Sequence, residues 1–393
     1  MSILKYRKAA AVLAFALLLW FPGSVRADGP MDAIIKEQAQ HVQTDQVEAY
    51  WQQLMQQYGG YFPGNRTPTL MDMILPGREG LSISTVMKGL LSYFLHEVLY
   101  NGKLLATIVI LTVFSQILQT LQGAFERKAV SSVAYAITYT VMIIIAINSF
   151  SVAIGYAKSA ITGMIDFMVA MIPLLLTLLA SMGSVVSASI LHPLIIFMIH
   201  TVGTLIYAVV FPLLFFSTVL HIVSSLNEKY KVTQLANLLR NVSVGLLGVF
   251  LTVFLGVITV QGATSGVTDG VTIRTAKYVA GNFVPIVGGL FSDAADTVIS
   301  ASLLVKNAIG LVGVIIIILL AAFPAVKILT LAFIYNLSAA VLQPLGESPI
   351  TACLETIGKN MIYVFAALAA VGLMFFLAVT IIITAGNVSI MMR

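Results

Sequence analysis

The chain has 393 residues, of which 59% are hydrophobic and only 9% are charged. Because soluble domains carry about 25% charged residues, this composition excludes an ordinary soluble fold and indicates a membrane protein. The formal net charge of +5 comes without any run of Lys and Arg dense enough to predict binding to nucleic acid.

The first residues have the layout of a secretory signal peptide. A basic start precedes a short apolar core at residues 9–21, and Val25 and Ala27 supply small side chains at the −3 and −1 positions of a cleavage site. We predict that residues 1–27 are removed and that residues 28–103 are exported from the cytosol. The alternative is an uncleaved first anchor, which leaves residues 28–103 on the same side of the membrane.

The exported segment contains two amphipathic helices, as judged by its hydrophobic pattern. Apolar residues recur with a period of about 3.6 over residues 31–58, and the pair Gly59-Gly60 ends this first helix. A second helix carries one apolar face between Val86 and Val98. We expect the second helix either to lie at the membrane interface or to pack on the bundle just before the first span.

Long apolar runs dominate the rest of the chain, residues 104–393. A helix needs roughly 20 apolar residues to cross the hydrocarbon core, and seven runs reach about that length or exceed it. They are 104–122, 130–157, 161–180, 191–223, 242–260, 309–342 and 361–385. The sequence therefore predicts an all-α fold, a polytopic helical membrane protein with about seven transmembrane spans, give or take one.

Two basic connections predict an orientation that conflicts with seven simple spans. By the positive-inside rule, residues 126–128 and 227–240 both belong on the cytosolic side. Three apolar runs lie between them, and three spans would place the two connections on opposite sides. We favour an irregularity in the run 191–223, which contains Pro212. A run 161–180 that does not span the membrane would also resolve the conflict.

The run 309–342 is also too long for one simple span. Pro324 and Lys327 lie near its middle, so we expect either two helices in a tight hairpin or one broken helix. Lys327 and Asp166, which lies in the run 161–180, are the candidate buried ionisable residues. Because a charge inside the bilayer is costly, they either pair with each other or line a path through the bundle.

Residues 261–307 form a semi-polar insert between two strong apolar runs. The insert is rich in Gly and Thr, and Pro285 and the pair Gly288-Gly289 predict breaks in any helix. Its sparse charges are candidate passage or partner-contact residues: Asp269, Arg274, Lys277, Asp293 and Asp296. Two interpretations stay open, a re-entrant element that lines a polar passage or an amphipathic surface helix followed by a loop.

The sequence lacks the motifs of enzymes and of cofactor or metal sites. The dipeptide His96-Glu97 lacks the second His of a zinc-protease motif, and no phosphate-binding loop, nucleophile elbow or dinucleotide fingerprint occurs. Three histidines share one apolar run without the spacing of metal ligands: His192, His200 and His221. We therefore expect no enzyme activity, no cofactor and no metal, and we expect the single Cys353 to be a small half-buried residue on the cytosolic side.

The most specific short motifs lie between Tyr230 and Gly313. They are Gln261-Gly262-Ala263, Thr268-Asp269-Gly270, Arg274-Thr275-Ala276-Lys277, Gly281-Asn282-Phe283 with Pro285, and Ser292-Asp293-Ala294 through Asp296-Thr297-Val298. Together with the signal peptide, the short exported segment and the many spans, these motifs resemble the stage III sporulation protein AE family of endospore-forming bacteria. The resemblance extends over nearly the whole mature chain and is weakest in residues 28–103.

This resemblance implies a role rather than a catalysed reaction. Members of the family are polytopic parts of a complex that joins the mother cell to the engulfed forespore, acts as a channel or feeding tube, and is needed for late forespore gene expression. The implied place is the mother-cell membrane around the forespore. The implied partners are the lipid bilayer, a secretion-ATPase-like cytosolic member and ring-forming members between the two membranes.

A self-sufficient secondary transporter of a small solute is the alternative function. Transporters often contain two structural repeats with matching broken helices. The runs 191–223 and 309–342 are both long and both contain proline, but their polar residues do not correspond. The sequence therefore favours a subunit of a larger membrane complex over a transporter.

Overall fold

A computed structural model describes most of the chain and shows helices throughout the described part. The described residues are 44–63, 68–70, 73, 82–124, 128–182, 184–226, 231–283, 287–346 and 348–391, and they contain no strand. The predicted signal peptide, residues 1–27, and its cleavage site lie outside this range. Within the described residues, the predicted all-α fold is confirmed.

The described residues contain nine α-helices. They are α1 (Asp45–Tyr58), α2 (Ile83–Tyr100), α3 (Gly102–Ala124), α4 (Lys128–Ser181), α5 (Val185–Leu205), α6 (Phe211–Leu226), α7 (Thr233–Phe283), α8 (Val287–Leu342) and α9 (Pro349–Met391). A π-helical segment, Ile206–Val210, joins α5 to α6 without a break, and short 3₁₀ turns follow α1 and α8.

Five helical stretches in the described residues are long and apolar enough to cross a membrane. They are Val133–Ser181, Pro193–Ser225, Thr233–Asp269, Ser302–Leu342 and Pro349–Thr384. A sixth arises when α2 and α3, which meet at a 46° bend, are counted as one broken span. The prediction of a polytopic helical membrane protein is therefore confirmed.

Helix α4 explains why fewer stretches span than the sequence predicted. The runs 130–157 and 161–180 belong to one helix of 54 residues that continues through Pro173, so they are not two separate spans. A proline removes one helical hydrogen bond, but a full break at membrane depth would leave several backbone groups unpaired. The continuous helix avoids that larger penalty.

The conflict between the two basic connections disappears in this arrangement. Helix α4 runs in one direction, and α5, the π segment and α6 together run back. Tyr139 near the start of α4 is hydrogen-bonded to Ser225 near the end of α6, with 2.9 Å between their hydroxyl oxygens. The expected irregularity in 191–223 is present as the π segment, but it does not reverse the chain. The start of α4 and the end of α6, which flank the two basic connections in the sequence, therefore lie at the same end of the bundle.

Helices α8 and α9 form the centre of the bundle as a long antiparallel pair. Glycines permit their close approach, since Gly358 lies against Asn336 and Gly310 against Ile383, with no room for a Cβ atom at either glycine. Helix α8 continues through Pro324, so the run 309–342 is one helix and the expected hairpin or break within it is absent. Buried Cys353 lies at the start of α9.

The semi-polar insert extends two of the long helices. Residues 261–283 continue α7, and residues 287–307 form the first part of α8, while residues 284–286, which include Pro285, lie outside the described range. The predicted break at Gly288-Gly289 is wrong, because both glycines lie in the first turn of α8. Within its described part, the insert is helical and contains no irregular backbone of the kind that a re-entrant loop requires.

We predict that cysteines introduced at positions 126 and 228 react with a membrane-impermeant thiol reagent from the same side of the membrane. A cysteine at position 183, between α4 and α5, should react from the opposite side, because one passage of α4 separates it from position 126. The measurement is side-specific labelling in sealed vesicles, with Cys353 replaced by Ala. Labelling of positions 126 and 228 from opposite sides would contradict the two-passage arrangement.

Candidate functional site

Helix α1 packs on the middle of α4 and α8 through one apolar stripe. Val47, Trp51, Leu54 and Tyr58 recur every three or four residues and are all buried, as the sequence pattern predicts for an amphipathic helix. The indole nitrogen of Trp51 donates a hydrogen bond to the carbonyl oxygen of Pro68 at 2.8 Å. The opposite face of α1 is polar and exposed.

An aromatic cluster fixes α1 and α2 on α8 beside Pro324. The rings of Tyr58 and Phe323 are parallel, with their centroids 3.9 Å apart. Tyr93 of α2 meets both rings edge-on, at 5.5 Å from Tyr58 and 5.2 Å from Phe323. Burial, and then the nearby charge of Glu97, raise the pKa of Tyr58 to about 12. The Tyr58 hydroxyl therefore stays neutral at physiological pH.

Lys327 lies one helical turn beyond Pro324 and pairs with Glu97 of α2. The Lys327 Nζ atom is 3.9 Å from Glu97 Oε1 and 5.0 Å from the centroid of the Tyr156 ring. The two side chains of the ion pair are 24% and 12% exposed. At 3.9 Å the attraction is ionic without a direct hydrogen bond, and the Tyr156 ring face adds a cation–π contact.

Asp166 is not the partner of Lys327, contrary to one of the two alternatives that the sequence left open. Its side chain is exposed on α4, so it is not a buried ionisable residue, whereas Lys327 is only partly buried. The charge of Asp166 acts on α1 instead, because burial and then Asp166 raise the pKa of Tyr50. Both residues therefore face the region where α1 covers the bundle.

A cavity of about 380 Å³ lies between α1, α4 and α8 at this place. Its polar lining comes from Gln53 and Gln57 of α1, Ser159 of α4 and Lys327 of α8. Pro324 and Leu320 also line the cavity. Because proline has no N–H, the carbonyl group of Leu320 lacks its usual helical donor.

A second polar cavity, of about 510 Å³, lies at the turn between α8 and α9. Its lining includes Asn336, Gln343, Thr351 and Glu355. An exposed ion pair between Glu355 and Lys359 follows on the first turns of α9. This end of the bundle therefore offers hydrogen-bonding groups and charges, in contrast to the apolar surface of the long helices.

The charged residues of the insert divide between two helices. Asp269 lies on α7 and is only 1% exposed, although it was a candidate contact residue. Arg274 and Lys277 also lie on α7, and Asp293 and Asp296 lie on α8, but their side chains are outside the described part. Their role as passage or partner-contact residues stays a prediction.

Buried Lys306, at the end of the insert, bridges α8 and α9. Its Nζ atom donates hydrogen bonds to the carbonyl oxygen of Ile383 at 2.8 Å and to Asn387 Oδ1 at 3.2 Å, and its side chain has no exposed surface. These contacts satisfy a buried ammonium group with neutral acceptors. Lys306 therefore holds the two central helices together at this level.

The partners of Lys327 could not be recognised from the sequence. No local signal connects Lys327 to Glu97, because the contact joins α2 to the middle of α8. Among the described residues, no group of three or more His, Cys, Asp or Glu side chains is close enough to hold a metal ion. His221 instead bridges α6 and α7, with its Nε2 atom 3.1 Å from Asn237 Oδ1.

The long apolar helices and the amphipathic helices packed on them define a polytopic helical membrane protein. A family model described as stage III sporulation protein AE matches residues 66–386. The chain is also 55% identical to the stage III sporulation protein AE of Bacillus subtilis (strain 168) over 362 residues, which cover 92% of this chain and 90% of the relative. No solved structure matches. The chain therefore belongs to the stage III sporulation protein AE family, and its role lies in sporulation.

We predict that Lys327→Met and Glu97→Gln each lower the free energy of unfolding by about 1–3 kcal/mol. This range lies between the small contribution of exposed ion pairs and the 3–5 kcal/mol lost when a fully buried pair is broken. The exposed Asp166→Asn variant should change stability by no more than about 0.5 kcal/mol. Denaturant unfolding in detergent micelles measures all three. An equal loss for Asp166→Asn would contradict the assignment of Glu97 as the partner.

We also predict that Phe323→Ala releases α1 from the bundle. The substitution removes a ring with no exposed surface that stacks on Tyr58, and such a loss costs about 3–5 kcal/mol. Limited proteolysis should then cut residues 44–63 faster than in the parent protein. Phe323→Leu, which retains most of the volume, serves as the control and should show a smaller increase. Unchanged resistance of the Ala variant would show that the cluster does not hold α1.

Proposed function

We propose that this protein is a membrane subunit of the channel complex between mother cell and forespore, a secretion-like feeding tube required for late forespore gene expression. Membership of the stage III sporulation protein AE family carries the proposal. The protein lies in the mother-cell membrane that surrounds the forespore. Its partners are the ring-forming members of the complex and the secretion-ATPase-like cytosolic member.

The exported helices α1 and α2 support this proposal because they pack on the bundle and therefore present a surface of fixed orientation. The aromatic cluster and the Glu97–Lys327 pair hold α1 and α2 on the bundle. Away from the cavity, α1 exposes three glutamines: Gln46, Gln52 and Gln56. Amide groups donate and accept hydrogen bonds but carry no charge, so this face is suited to a protein partner in water. We assign it to the ring-forming members.

The turn between α8 and α9 is the proposed contact for the cytosolic member. The end of α8 lies near the first part of α4, since the Tyr335 hydroxyl donates a hydrogen bond to the carbonyl oxygen of Ile145. The positive-inside rule assigns the basic residues that precede and follow this part of the bundle in the sequence to the cytosol. The polar cavity and the exposed Glu355–Lys359 pair provide hydrogen-bonding and charged groups there. The protein thus offers a polar surface at each end of an apolar bundle, as a subunit that joins partners across a membrane requires.

The semi-polar insert is the proposed third contact. Residues 261–283 form the end of α7, and residues 287–307 form the start of α8. Arg274, Lys277, Asp293 and Asp296 provide both signs of charge on these two extensions. Asp269 differs because it is buried, so we assign it to the packing of the bundle and not to the contact.

We predict that reversal of Arg274 or Asp293 abolishes spore formation while the membrane level of the protein stays near normal. The experiment replaces the native gene of an endospore-forming host, in which a deletion should arrest development after engulfment without affecting vegetative growth. Lys158→Glu, a reversal at an exposed position of α4, is the matched control and should be nearly silent. Immunoblots of membrane fractions report abundance, and counts of heat-resistant spores report function.

The same experiment separates the proposal from its alternative. Full activity of every Arg274 and Asp293 reversal at normal abundance would contradict the contact at the insert. A deletion strain that sporulates normally, or that fails in exponential growth, would contradict the channel subunit. Ion-coupled uptake of a small solute by the purified chain in liposomes would favour the secondary transporter.

A further inference from the structure

Helix α2 presents three different faces along its length. One face packs on α8 through Tyr93 and against Phe62 through Gly89, and both Tyr93 and Gly89 are buried. A second face exposes large apolar side chains at every fourth position: Ile83, Met87, Leu91, Leu95 and Leu99, between 54% and 83% exposed. A third face exposes polar side chains at Ser84, Lys88, Ser92 and His96. Three faces of this kind require three different surroundings.

The exposed apolar and polar stripes run side by side. At about 100° per residue, Met87, Leu91 and Leu95 fall within an arc of about 80°. Lys88, Ser92 and His96 form the neighbouring stripe, about 100° further around the helix. The apolar stripe from Ile83 to Leu99 is about 24 Å long. A helix wholly in water or wholly in hydrocarbon would not keep both stripes exposed over this distance, because one of them would always face the wrong solvent.

The position of α2 in the chain indicates which apolar partner covers the stripe. Helix α3 follows after Asn101 at a bend of 46°. It has 23 residues, about 35 Å, which is enough to cross a hydrocarbon core of about 30 Å. It also exposes large apolar residues, with Ile110 67% and Phe114 52% exposed. The apolar surface of α2 therefore continues into the lipid-facing surface of a spanning helix.

We propose that α2 is an interfacial helix that inserts its apolar stripe into the lipid leaflet through which α3 enters the membrane. Met87, Leu91 and Leu95 lie among the acyl chains, and Lys88, Ser92 and His96 face the headgroups and water. The partner of this surface is the phospholipid bilayer. The face of α2 that packs on α8 brings Tyr93 to Phe323 and Glu97 to Lys327, so α2 connects the membrane surface directly to the centre of the bundle.

The depth of single labelled positions tests this assignment in the full-length protein. Nitroxide labels are placed on cysteines at positions 87, 91 and 95 and, as matched neighbours, at 88, 92 and 96, in a Cys353→Ala background. The protein is held in nanodiscs of phosphatidylethanolamine and phosphatidylglycerol. Collision with oxygen, which concentrates in lipid, is compared with collision with a nickel complex confined to water. Labels at Ile110 of α3 and Gln52 of α1 provide the lipid and water references.

We expect labels at 87, 91 and 95 to collide mainly with oxygen, as the Ile110 label does, and labels at 88, 92 and 96 to collide mainly with the nickel complex. Lipid exposure at all six positions would overturn the proposal and make α2 and α3 one broken span. Water exposure at all six would overturn it as well. Labels at 87, 91 and 95 that are immobile and reach neither reagent would show that a protein, such as a second copy, covers the stripe. None of these outcomes depends on the channel function.

Discussion

No backbone hydrogen-bonding group can be left unpaired in hydrocarbon, and this constraint determines how the chain crosses the membrane. An unpaired peptide group costs several kcal/mol there, whereas a proline inside a helix costs about 3 kcal/mol. The chain accordingly keeps its helices continuous through Pro173 and Pro324. Where the helical repeat changes, at Ile206–Val210, the π segment keeps the hydrogen bonding within the helix.

Helices α1 and α2 attach to α8 at the local weakness created by Pro324. Proline leaves the carbonyl of Leu320 without its helical donor, and Lys327 adds a charge one turn later. Helices α1 and α2 cover this part of α8 with the aromatic cluster and with Glu97. The polar site that Pro324 and Lys327 create on an apolar helix is therefore the site where α1 and α2 are attached. The same contacts also fix the orientation of α1 on the bundle.

Local patterns in the sequence predicted the structure well where the physical cause was itself local. The period of apolar residues in α1 follows from one helix facing one surface, so Val47, Trp51, Leu54 and Tyr58 could be recognised as its buried side. Composition likewise predicted an all-α membrane bundle, because only continuous helices or closed barrels are stable in lipid.

Connections between apolar runs were harder to predict from the sequence. Lys158 and Ser159 looked like the end of one span and the start of the next, yet they lie inside α4. Whether a chain turns at such residues depends on which neighbours cover them, and here Ser159 lines the cavity beneath α1. Tertiary contacts therefore determine whether the chain turns at these residues, and local hydropathy does not show the outcome.

The partner of Lys327 could not be predicted for the same reason. Insertion into lipid makes a buried charge costly, which singled out both Asp166 and Lys327, but cost alone does not identify a partner. Glu97 lies on a helix whose apolar pattern predicts packing, and its position off that face gave no indication of an ion pair. Its contact with Lys327 depends on the angle at which α2 meets α8, and the sequence carries no simple signal for that angle.

The lengths of the central helices imply that the bundle continues beyond the hydrocarbon core. Helices α4 and α8 have 54 and 56 residues, about 80 Å each at 1.5 Å per residue, against a core of about 30 Å. The exposed glutamine face of α1 requires water, and α1 packs along α4 at Phe167 and along α8 at Phe323. At this level, therefore, one side of the bundle adjoins α1 and water rather than lipid. The long apolar helices serve two layers, one in the membrane and one outside it, and the interfacial position proposed for α2 would place that helix at the boundary between them.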